Sequence, residues 1–488
     1  MIEQGFSVYD VVIIGSGFGG QIAAINLRKR GLNNFLILER RDFMGGTWVQ
    51  NKYPGAAVDV QSPLYSLSFE PYPWTQMYAE QPELEDYTNK IIEKYGLREQ
   101  TRTGQDVQQL DWCDDHWQIQ TKAGDIFRSR SVISASGPLS QPLTPEFPGH
   151  DTFQGEQFHT NAWNHDFDHK GKRVAIIGSG ASAAQVIPAI ASEVEALHVF
   201  QRSPHWVLPR HDWKFGKVAR TLLKWKPMYH LLRKTIYWAL EYRVIAFKYS
   251  KRLMRFIGQS EAERFMRKTI KDPELRQKLT PDYLIGCKRI LVSSTLYPAL
   301  QRDNVSLHDR NDSIARITES GIETAQGIQL KLDAIVYATG YQATDGSIPF
   351  RVTGRDGKTL EQFWEEFPRA YLGTSMPGFP NLYLVTGPNT GIGHTSALFI
   401  IESQMKYILR CLQELQNSPA LSIEVKPAAE EKYTDMIHRE MRNTVWQVGG
   451  CNSWYKSKSG RVIAMYPGFS FVYRWLASRF KRHHHQLR

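Results

Sequence analysis

The first forty residues alternate between apolar runs and a segment of helical periodicity. The apolar runs predict strands at Tyr9–Ile14 and Phe35–Glu39, and the segment between them predicts a helix at about Gln21–Arg30. A glycine-rich turn separates the first strand from the helix. This order is typical of a βαβ unit, in which a crossover helix joins two parallel strands.

The same order of elements returns further along the chain. A strand is predicted at Arg173–Ile177, a second glycine turn follows it, a helix ends near Ser192, and the next strand is predicted at Leu197–Phe200. Two such units in one chain predict an α/β fold with two Rossmann-like dinucleotide-binding domains.

The stretch from Trp213 to Phe256 departs from this pattern. Leu, Trp, Tyr and Ile recur there at helical spacing among many Lys and Arg residues, and Glu241 is the one acidic residue. Pro227 is predicted to separate two helices. Charged helical sequence continues to about Pro281, so the pattern predicts a helical insertion. Strand-like runs then return at Arg289–Ser293, Ala334–Ala338 and Leu382–Thr386.

The chain has 488 residues, a net charge of +11 and a pI near 9.3. At roughly 100–200 residues per domain, this length predicts two to four domains. No run approaches the ~18 apolar residues that span a bilayer, and the N-terminal sequence lacks the pattern of a secretory leader. We therefore expect a cytoplasmic protein.

The positive charge suits an anionic cofactor, an anionic membrane surface or nucleic acid. The basic, aromatic insertion has three interpretations: it lines a hydrophobic substrate entrance, it lies peripherally on the inner face of an anionic membrane, or it forms a solvated helical lid. Nucleic-acid binding is disfavoured, because cofactor phosphates and this insertion account for the excess charge.

Cysteine and histidine patterns give no sign of a metal site. The four cysteines are widely spaced without a CxxC pair, and reduced thiols are expected at Cys113, Cys287, Cys411 and Cys451. Three consecutive residues do not share one face of a helix or strand, so His483–His485 is not expected to bind a metal. The basic C-terminal tail, Arg474–Arg488, is predicted to be exposed.

The first glycine turn has the sequence Gly15-Ser16-Gly17-Phe18-Gly19-Gly20. Gly15 permits a tight turn, Gly17 lets the backbone approach a pyrophosphate, and Gly20 allows the helix to close on the strand. Amides at the helix N-terminus then bind the anion. Glu39 ends the second strand, where a carboxylate accepts hydrogen bonds from ribose hydroxyls and repels a 2′-phosphate. This unit therefore favours FAD or NAD over NADP.

The second turn, Gly178-Ser179-Gly180-Ala181-Ser182-Ala183, has alanine at the third glycine position. Its second strand ends in Gln201-Arg202-Ser203, and this cation and hydroxyl favour NADPH, with a solvent-facing arginine as the alternative. Two dinucleotide sites indicate hydride transfer from a nicotinamide to a flavin. A dithiol reductase of this architecture needs a redox cysteine pair that the spacing does not show. Oxygen is therefore the leading electron acceptor, ahead of a quinone or another small oxidant.

Between the two units, Phe153, Gly155, His159 and Trp163 are spaced as FxGxxxHxxxW. This resembles the fingerprint of Baeyer–Villiger monooxygenases, within the class B flavoprotein monooxygenases. Asn164 departs from the family, in which Pro or Asp usually follows the tryptophan. The resemblance covers nearly the whole chain, with further motifs in the family's order: Gly45-Gly46-Thr47-Trp48, Tyr53-Pro54-Gly55 with Asp59, Cys287-Lys288-Arg289, Ala338-Thr339-Gly340-Tyr341 and Cys451-Asn452-Ser453-Trp454-Tyr455.

The resemblance implies an NADPH-dependent FAD monooxygenase in which a C4a-peroxyflavin converts a small lipophilic ketone to an ester or lactone. An anionic peroxide and the oxyanion formed after its attack need a fixed positive charge. By resemblance, Arg289 supplies that charge, Asp59 orients Arg289, and Lys288 and Arg202 contact NADPH. An ordinary ion pair is the alternative for the first two residues. His159 is implied to couple domains, with a packing histidine as the alternative.

Three tryptophans, Trp48, Trp163 and Trp454, are candidates to shield the flavin from water, although large aromatic side chains more often belong to a core. Trp454 is also a candidate for the substrate pocket, and the Asn389–Gly393 loop is implied to bring backbone amides near the flavin. The implied cofactor contacts are Gly15, Gly17, Phe18, Gly20, Glu39, Arg40, Gly46, Thr47, Trp48, Asp59, Gly178, Gly180, Ala181, Ser182, Gln185, Arg202, Ser203, Lys288, Arg289, Ala338, Thr339 and Gly340.

We expect a discontinuous FAD domain, residues 1–165 and 333–488, and an NADPH domain, residues 166–332, that contains the helical insert 211–285. The active site is expected at their junction. Two other functions stay open on the sequence: a flavin-containing monooxygenase that oxygenates nitrogen or sulfur, and a non-oxygenating NADPH-dependent flavoprotein with a redox-responsive binding role.

Overall fold

The structure, a computed structural model, describes residues 8–342 and 348–488. Its strands are β1 Val8–Ile14, β2 Phe35–Leu38, β3 Thr101–Arg102, β4 Val107–Cys113, β5 His116–Thr121, β6 Ile126–Ser134, β7 Glu156–His159, β8 Arg173–Ile177, β9 Ala196–Phe200, β10 Val207–Leu208, β11 Leu291–Val292, β12 Val305–His308, β13 Ile314–Thr318, β14 Gly321–Thr324, β15 Gln329–Lys331, β16 Ala334–Tyr337, β17 Arg351–Thr353, β18 Leu382–Leu384, β19 Ile423–Val425 and β20 His485–Leu487.

The α-helices are α1 Phe18–Lys29, α2 Thr47–Gln50, α3 Gln81–Lys94, α4 Ala181–Ile190, α5 Lys217–Leu223, α6 Lys226–Glu241, α7 Val244–Lys248, α8 Lys251–Leu253, α9 Ser260–Thr269, α10 Pro273–Leu279, α11 Leu296–Ala299, α12 Leu360–Phe363, α13 Ala397–Gln416, α14 Pro427–Met441, α15 Val445–Val448 and α16 Ser470–Ser478. Both predicted βαβ units, β1-α1-β2 and β8-α4-β9, are confirmed, and so is the α/β fold class.

The larger sheet has the strand order β17-β4-β5-β6-β1-β2-β3, and β18 also pairs with β6. Its centre is parallel, because β1 runs parallel to both β2 and β6, while β4, β5 and β6 form an antiparallel meander. Helix α1 crosses from β1 to β2 and buries Ile22, Ile25 and Leu27 against the sheet. The long helix α13 packs on α1 and α16. This arrangement places the first glycine turn at the carboxyl end of β1.

The smaller sheet is wholly parallel, with the strand order β12-β9-β8-β16-β7. Strands β7 and β16 pair within it although they lie just outside residues 166–332. The chain therefore crosses to the smaller sheet between β6 and β7, in a stretch that ends with Phe153 and Gly155, and it returns through the linker after β16. Both crossings carry residues that the sequence singles out.

The helical insertion packs on both sheets' cores. Pro227 lies in the first turn of α6 and separates it from α5, as predicted. Tyr229, Ile236 and Leu240 of α6 are buried in the core of the larger sheet, whereas Met266 of α9 is buried in that of the smaller. Among the described residues, no helix is long and apolar enough to cross a membrane.

The expectation of four reduced thiols is wrong for two of them. Cys287 and Cys451 are bonded, with an S–S distance of 1.98 Å, and they are 164 residues apart in sequence. Cys113 and Cys411 are free. The pairing joins the segment before Lys288 to the segment before Trp454. Sequence spacing could not reveal this bond, because the fold alone brings the two segments together.

The prediction of an exposed C-terminal tail is confirmed for Arg479, Lys481, Arg482, His483 and Arg488 but is wrong for His485. Residues after α16 form β20, which pairs antiparallel with β19, and His485 is buried. Its Nδ1 donates to the Lys481 carbonyl, and its Nε2 accepts a hydrogen bond from the Tyr407 hydroxyl. The ring of His485 also stacks on Phe480. This side chain therefore ties the tail to α13 in its neutral form.

Acid should weaken this attachment. Burial lowers the pKa of His485 to about 4, against about 6.5 in the unfolded chain. The unfolded state binds the proton more readily, so stability is full above pH 6.5 and falls as the pH drops towards 4. A shift of this size corresponds to about 3 kcal/mol. His485→Gln keeps a donor and an acceptor but does not titrate, so its thermal midpoint should fall less than that of the wild type between pH 7.5 and 4.5. Equal falls would contradict this role.

Candidate active site

The two glycine turns share one geometry. Gly15 and Gly178 both have positive φ, +101° and +133°, and a Cβ at either would lie within 2.6 Å of the carbonyl oxygen of Ala135 or Ala338. Each of these carbonyls ends a neighbouring parallel strand, so only glycine fits. Both helices that follow lack a side-chain cap and an acidic first turn. Their N-terminal amides are therefore free of protein carboxylates, which fits the binding of an anionic pyrophosphate.

Glu39 holds the first turn in place. Its Oε2 accepts hydrogen bonds from the Ser16 amide at 2.9 Å and the Ser16 hydroxyl at 2.6 Å, and its Oε1 accepts from the Arg41 amide at 3.1 Å. The carboxylate is buried. Oε1 keeps one lone pair for a further donor. A ribose hydroxyl on Glu39 is compatible with this geometry and stays a prediction.

A cluster of cations lies beyond β9. The Lys288 ammonium donates to the Ser203 hydroxyl at 2.8 Å, and the Ser179 hydroxyl donates to the Ser203 carbonyl at 2.8 Å. Burial and the neighbouring Arg202 lower the pKa of Lys288. Two cations placed this close repel each other, and an anion between them would relieve that repulsion. The cluster thus fits a phosphate group beside the second glycine turn.

Arg289 and Asp59 meet although 230 residues separate them in sequence. Arg289 Nε donates to Asp59 Oδ2 at 2.6 Å, and its Nη2 contacts the same oxygen. The side chains are 47% and 27% exposed, respectively. Asp59 is the main reason that the pKa of Arg289 rises above its usual value. The Arg289 guanidinium therefore stays positively charged, is oriented by the Asp59 carboxylate, and is open to solvent on one side.

Aromatic side chains connect the first glycine turn to this ion pair. Phe18 contacts the edge of the Tyr65 ring, and the Trp48 indole donates to the Tyr65 hydroxyl at 3.2 Å. Both Tyr65 and Tyr455 lie close enough to raise the pKa of Arg289 electrostatically. Three segments therefore converge at Arg289: the first glycine turn, the stretch from Tyr53 to Asp59, and the C-terminal stretch from Cys451 to Tyr455.

His159 of the fingerprint is the last residue of β7, and its side chain is buried beside the linker that follows β16. Its Nδ1 accepts a hydrogen bond from the Asn161 amide at 3.0 Å, so Nε2 carries the proton and donates to the Gly340 carbonyl at 3.1 Å. Burial lowers the pKa of His159. Both ring nitrogens are occupied by backbone groups, which supports the coupling role rather than a direct chemical one.

A polar network that the sequence did not indicate lies beside His159. The side-chain Nδ2 of Asn161 donates to the Tyr341 hydroxyl at 2.9 Å, and that hydroxyl donates to Asn51 Oδ1 at 3.0 Å. Gln50 donates to Asn161 Oδ1. Asn161 belongs to the fingerprint's variable positions, so its only signal was its place between His159 and Trp163. The network joins the fingerprint to Tyr341, which lies in the linker after β16. It also joins the fingerprint to Gln50 and Asn51, which follow the Gly45–Trp48 segment.

The other fingerprint residues make packing contacts within the protein. Phe153 is buried, and a Cβ on Gly155 would lie 2.5 Å from its ring. Trp163 packs edge-on against Phe158. Asn164 lies at an exposed turn, where its Oδ1 accepts a hydrogen bond from the Asp166 amide at 3.0 Å. An aspartate could accept the same bond, so the departure at this position changes a surface turn rather than the ion-pair site.

Several of the remaining predicted cofactor residues contact protein groups. Arg40 donates to the Ser140 carbonyl at 2.6 Å, Gln185 accepts from the Tyr53 hydroxyl at 2.9 Å, and Thr339 donates to the Leu143 carbonyl. Gly46 approaches Gly17 so closely that a Cβ on Gly46 would lie 2.6 Å from the Cα of Gly17. Trp454 is exposed and packs edge-on against Tyr455. Cofactor contacts of all these residues, and of Thr47, Ala181 and Ser182, stay predictions.

A buried charged group, also missed, supports the Asn389–Gly393 loop. Glu241 of the insertion accepts hydrogen bonds from the Ser470 amide and hydroxyl, and its Oε2 lies 3.3 Å from His394 Nε2. Burial would raise the pKa of Glu241, but His394 and Ser470 together lower it. Asn389 donates to two carbonyls of residues 462–465. The loop is thus held from both sides.

Comparisons with known proteins agree with this geometry. A family model described as pyridine nucleotide-disulphide oxidoreductase matches residues 12–216. A Baeyer–Villiger monooxygenase of Pseudomonas aeruginosa is 43% identical over 96% of this chain and 90% of its own. The solved structure of an oxidized steroid monooxygenase bound to NADP superposes with a TM-score of 0.89 at 30% identity, covering 99% of both chains. That of OTEMO in complex with FAD and NADP gives 0.90 at 27% identity, covering 99% of this chain and all of the other. The chain belongs to the Baeyer–Villiger monooxygenases.

Proposed function

We propose that this protein oxidises small lipophilic ketones to esters or lactones, with FAD, NADPH and O2. The observation that carries the proposal is the Arg289–Asp59 ion pair, placed where the two dinucleotide units converge. Reduced flavin, when bound, activates O2 for attack on a carbonyl carbon. A relative with this cofactor pair, OTEMO, has nearly the same fold.

The two cofactors would be held by different groups. We propose that the amides at the start of α1 bind the FAD pyrophosphate and that Glu39 accepts a ribose hydroxyl, with the buried Ser16 contacts fixing the carboxylate. The amides at the start of α4 would bind the NADPH pyrophosphate. Lys288, Arg202 and Ser203 would contact its 2′-phosphate, because an anion held there would relieve the repulsion between the two cations.

Arg289 is proposed to stabilise negative charge on the oxygen atoms that react. Its raised pKa keeps the guanidinium charged throughout the reaction. Asp59 binds Nε and one Nη, so the other Nη points its N–H groups elsewhere. Donors fixed before the reaction need no reorganisation when charge develops. Asp59 therefore acts as a positioning residue and Arg289 as the catalytic one.

The domain division is part of the proposal. An FAD domain built on the larger sheet and an NADPH domain built on the smaller one would meet at the His159 and Asn161 contacts. Strands β7 and β16 belong to the smaller sheet, so we propose that the NADPH domain extends a few residues beyond 166–332 on both sides.

Product analysis tests the proposed function. The purified protein, supplied with FAD, NADPH and O2, should convert members of a ketone panel to esters or lactones, with one NADPH consumed per product. Parallel incubations contain sulfides and amines as substrates. Sulfoxide or N-oxide without ester would replace ketone oxidation by heteroatom oxygenation, and hydrogen peroxide as the only product would remove oxygenation altogether.

A further inference from the structure

Helices α6 and α16 together expose an unusual apolar surface. Leu231, Trp238 and Tyr242 lie on one side of α6, and Phe471 and Trp475 lie on one side of α16; these five residues form what we call the aromatic face. Each is between 40% and 62% exposed. The ring centroids of Trp238 and Phe471 are 5.8 Å apart, and those of Trp238 and Tyr242 are 6.0 Å apart. Trp238, Tyr242 and Phe471 therefore join the two helices, which are distant in sequence, at the centre of this face.

The opposite side of α6 is fixed in the protein. Tyr229 contacts the hydroxyl of Ser66, and the buried Arg233 donates to the carbonyls of Pro63 and Ser66. An apolar stripe on a solvent-facing helix side normally has a partner, and monomers rarely leave a contiguous apolar patch exposed without one. Because the buried side anchors the helix, the aromatic face is presented rigidly to whatever binds there.

Charge around the aromatic face has one sign. From Trp213 to Gly258 the only acidic residue is Glu241, and the structure buries it against His394 and Ser470. Lys226 and Lys234 are exposed on α6, and the guanidinium of Arg479 lies 4.1 Å above the ring of Trp475. The insertion therefore shows solvent many cations and no carboxylate over this range.

We propose that the aromatic face binds the surface of an anionic lipid bilayer. Tryptophan, tyrosine and phenylalanine insert at the headgroup level, while lysine and arginine pair with anionic headgroups. The charge argues against a second copy as the occupant, because two copies of this face would repel each other. The exposed Leu231, with Trp238 and Phe471, argues against nucleic acid, whose phosphates would need only the cations.

This inference goes beyond the proposed function, because vesicle binding is measured without a substrate. The FAD-loaded protein should sediment with large vesicles of phosphatidylcholine and phosphatidylglycerol at 3:1, but weakly with phosphatidylcholine alone. The double variant Trp238→Ala/Phe471→Ala should bind the anionic vesicles at least about tenfold less tightly. Lys226→Glu/Lys234→Glu should show a similar loss, and higher salt should weaken wild-type binding.

Matched controls come from exposed residues elsewhere. Ile328→Ala/Leu421→Ala removes two exposed apolar side chains, and Arg302→Glu/Lys331→Glu makes the same charge change away from the face. Both should bind vesicles like the wild type, and NADPH should bleach the flavin of every variant. The proposal is overturned if the wild type does not sediment with anionic vesicles or if Trp238→Ala/Phe471→Ala binds them normally. It is also overturned if that variant instead abolishes self-association, or if the lysine changes affect duplex DNA binding but not vesicle binding.

Discussion

Arg289→Ala should lower ester formation by about 10²–10³-fold, which is the loss expected when one preorganised donor to a developing negative charge is removed. Reduction of the flavin by NADPH should stay close to the wild-type rate, because hydride transfer needs no cation at this position. Stopped-flow absorbance follows the reduction, and gas chromatography follows the ester. Asp59→Asn should cause a smaller loss, about tenfold, since the guanidinium remains but is less well oriented.

The control for Arg289 is another arginine with the same geometry. Arg316 contacts Glu323 through Nε at 2.7 Å and Nη2 at 2.6 Å, on a solvent-exposed antiparallel ladder. Arg316→Ala should change the thermal midpoint little, because the ion pair is exposed to solvent, and should leave ester formation unchanged. If Arg289→Ala gave a normal product yield, or if it stopped flavin reduction as completely as ester formation, Arg289 would not have the proposed role.

Patterns that are local in sequence predicted the two dinucleotide units well. The strand, glycine turn and helix that surround Gly15 lie within about twenty residues, and the same holds for Gly178, so periodicity and spacing were enough. The sequence could not indicate that the carbonyl of Ala135 packs against the first turn and the carbonyl of Ala338 against the second. Those contacts depend on which strands become neighbours in the sheet.

The ion pair illustrates the limit of spacing as a guide. Asp59 and Arg289 are 230 residues apart in sequence, and only the family resemblance suggested that they meet. Where the resemblance offered no hint, the pairing was missed. The bond between Cys287 and Cys451 is such a case, because widely spaced cysteines read as free thiols until the fold joins their segments.

Local composition was a poor guide to burial where a charged or polar side chain contacts a residue from a distant part of the chain. The sequence showed Glu241 only as the one acidic residue in a run of cations, and the structure buries it against Ser470 and His394. The basic tail was predicted to be exposed, yet His485 is packed on Tyr407. Local charge density predicts exposure only when no partner comes from elsewhere in the chain, and that information is absent from the segment itself.

The preference for NADPH over NADH should depend on the cluster beside the second glycine turn. Replacing both cations, as Arg202→Ala/Lys288→Ala, should lower kcat/KM for flavin reduction by NADPH about 10²–10⁴-fold, because each replacement removes a charged hydrogen bond to the 2′-phosphate worth about 1.5–3 kcal/mol. The value for NADH, which lacks that phosphate, should change little. The two rates are measured by stopped flow under anaerobic conditions.

The matched control is Lys172. It comes immediately before β8, whereas the glycine turn follows β8, so the two lie at opposite ends of this strand. Lys172→Ala removes one cation from the same sheet and should leave both coenzymes' kcat/KM values unchanged. Ser203→Ala should give a smaller loss with NADPH than the double variant, since it removes a neutral partner of Lys288. If the double variant lost activity equally with NADPH and NADH, the cluster would be holding the fold of the turn rather than the 2′-phosphate, and a lower thermal midpoint would accompany that result.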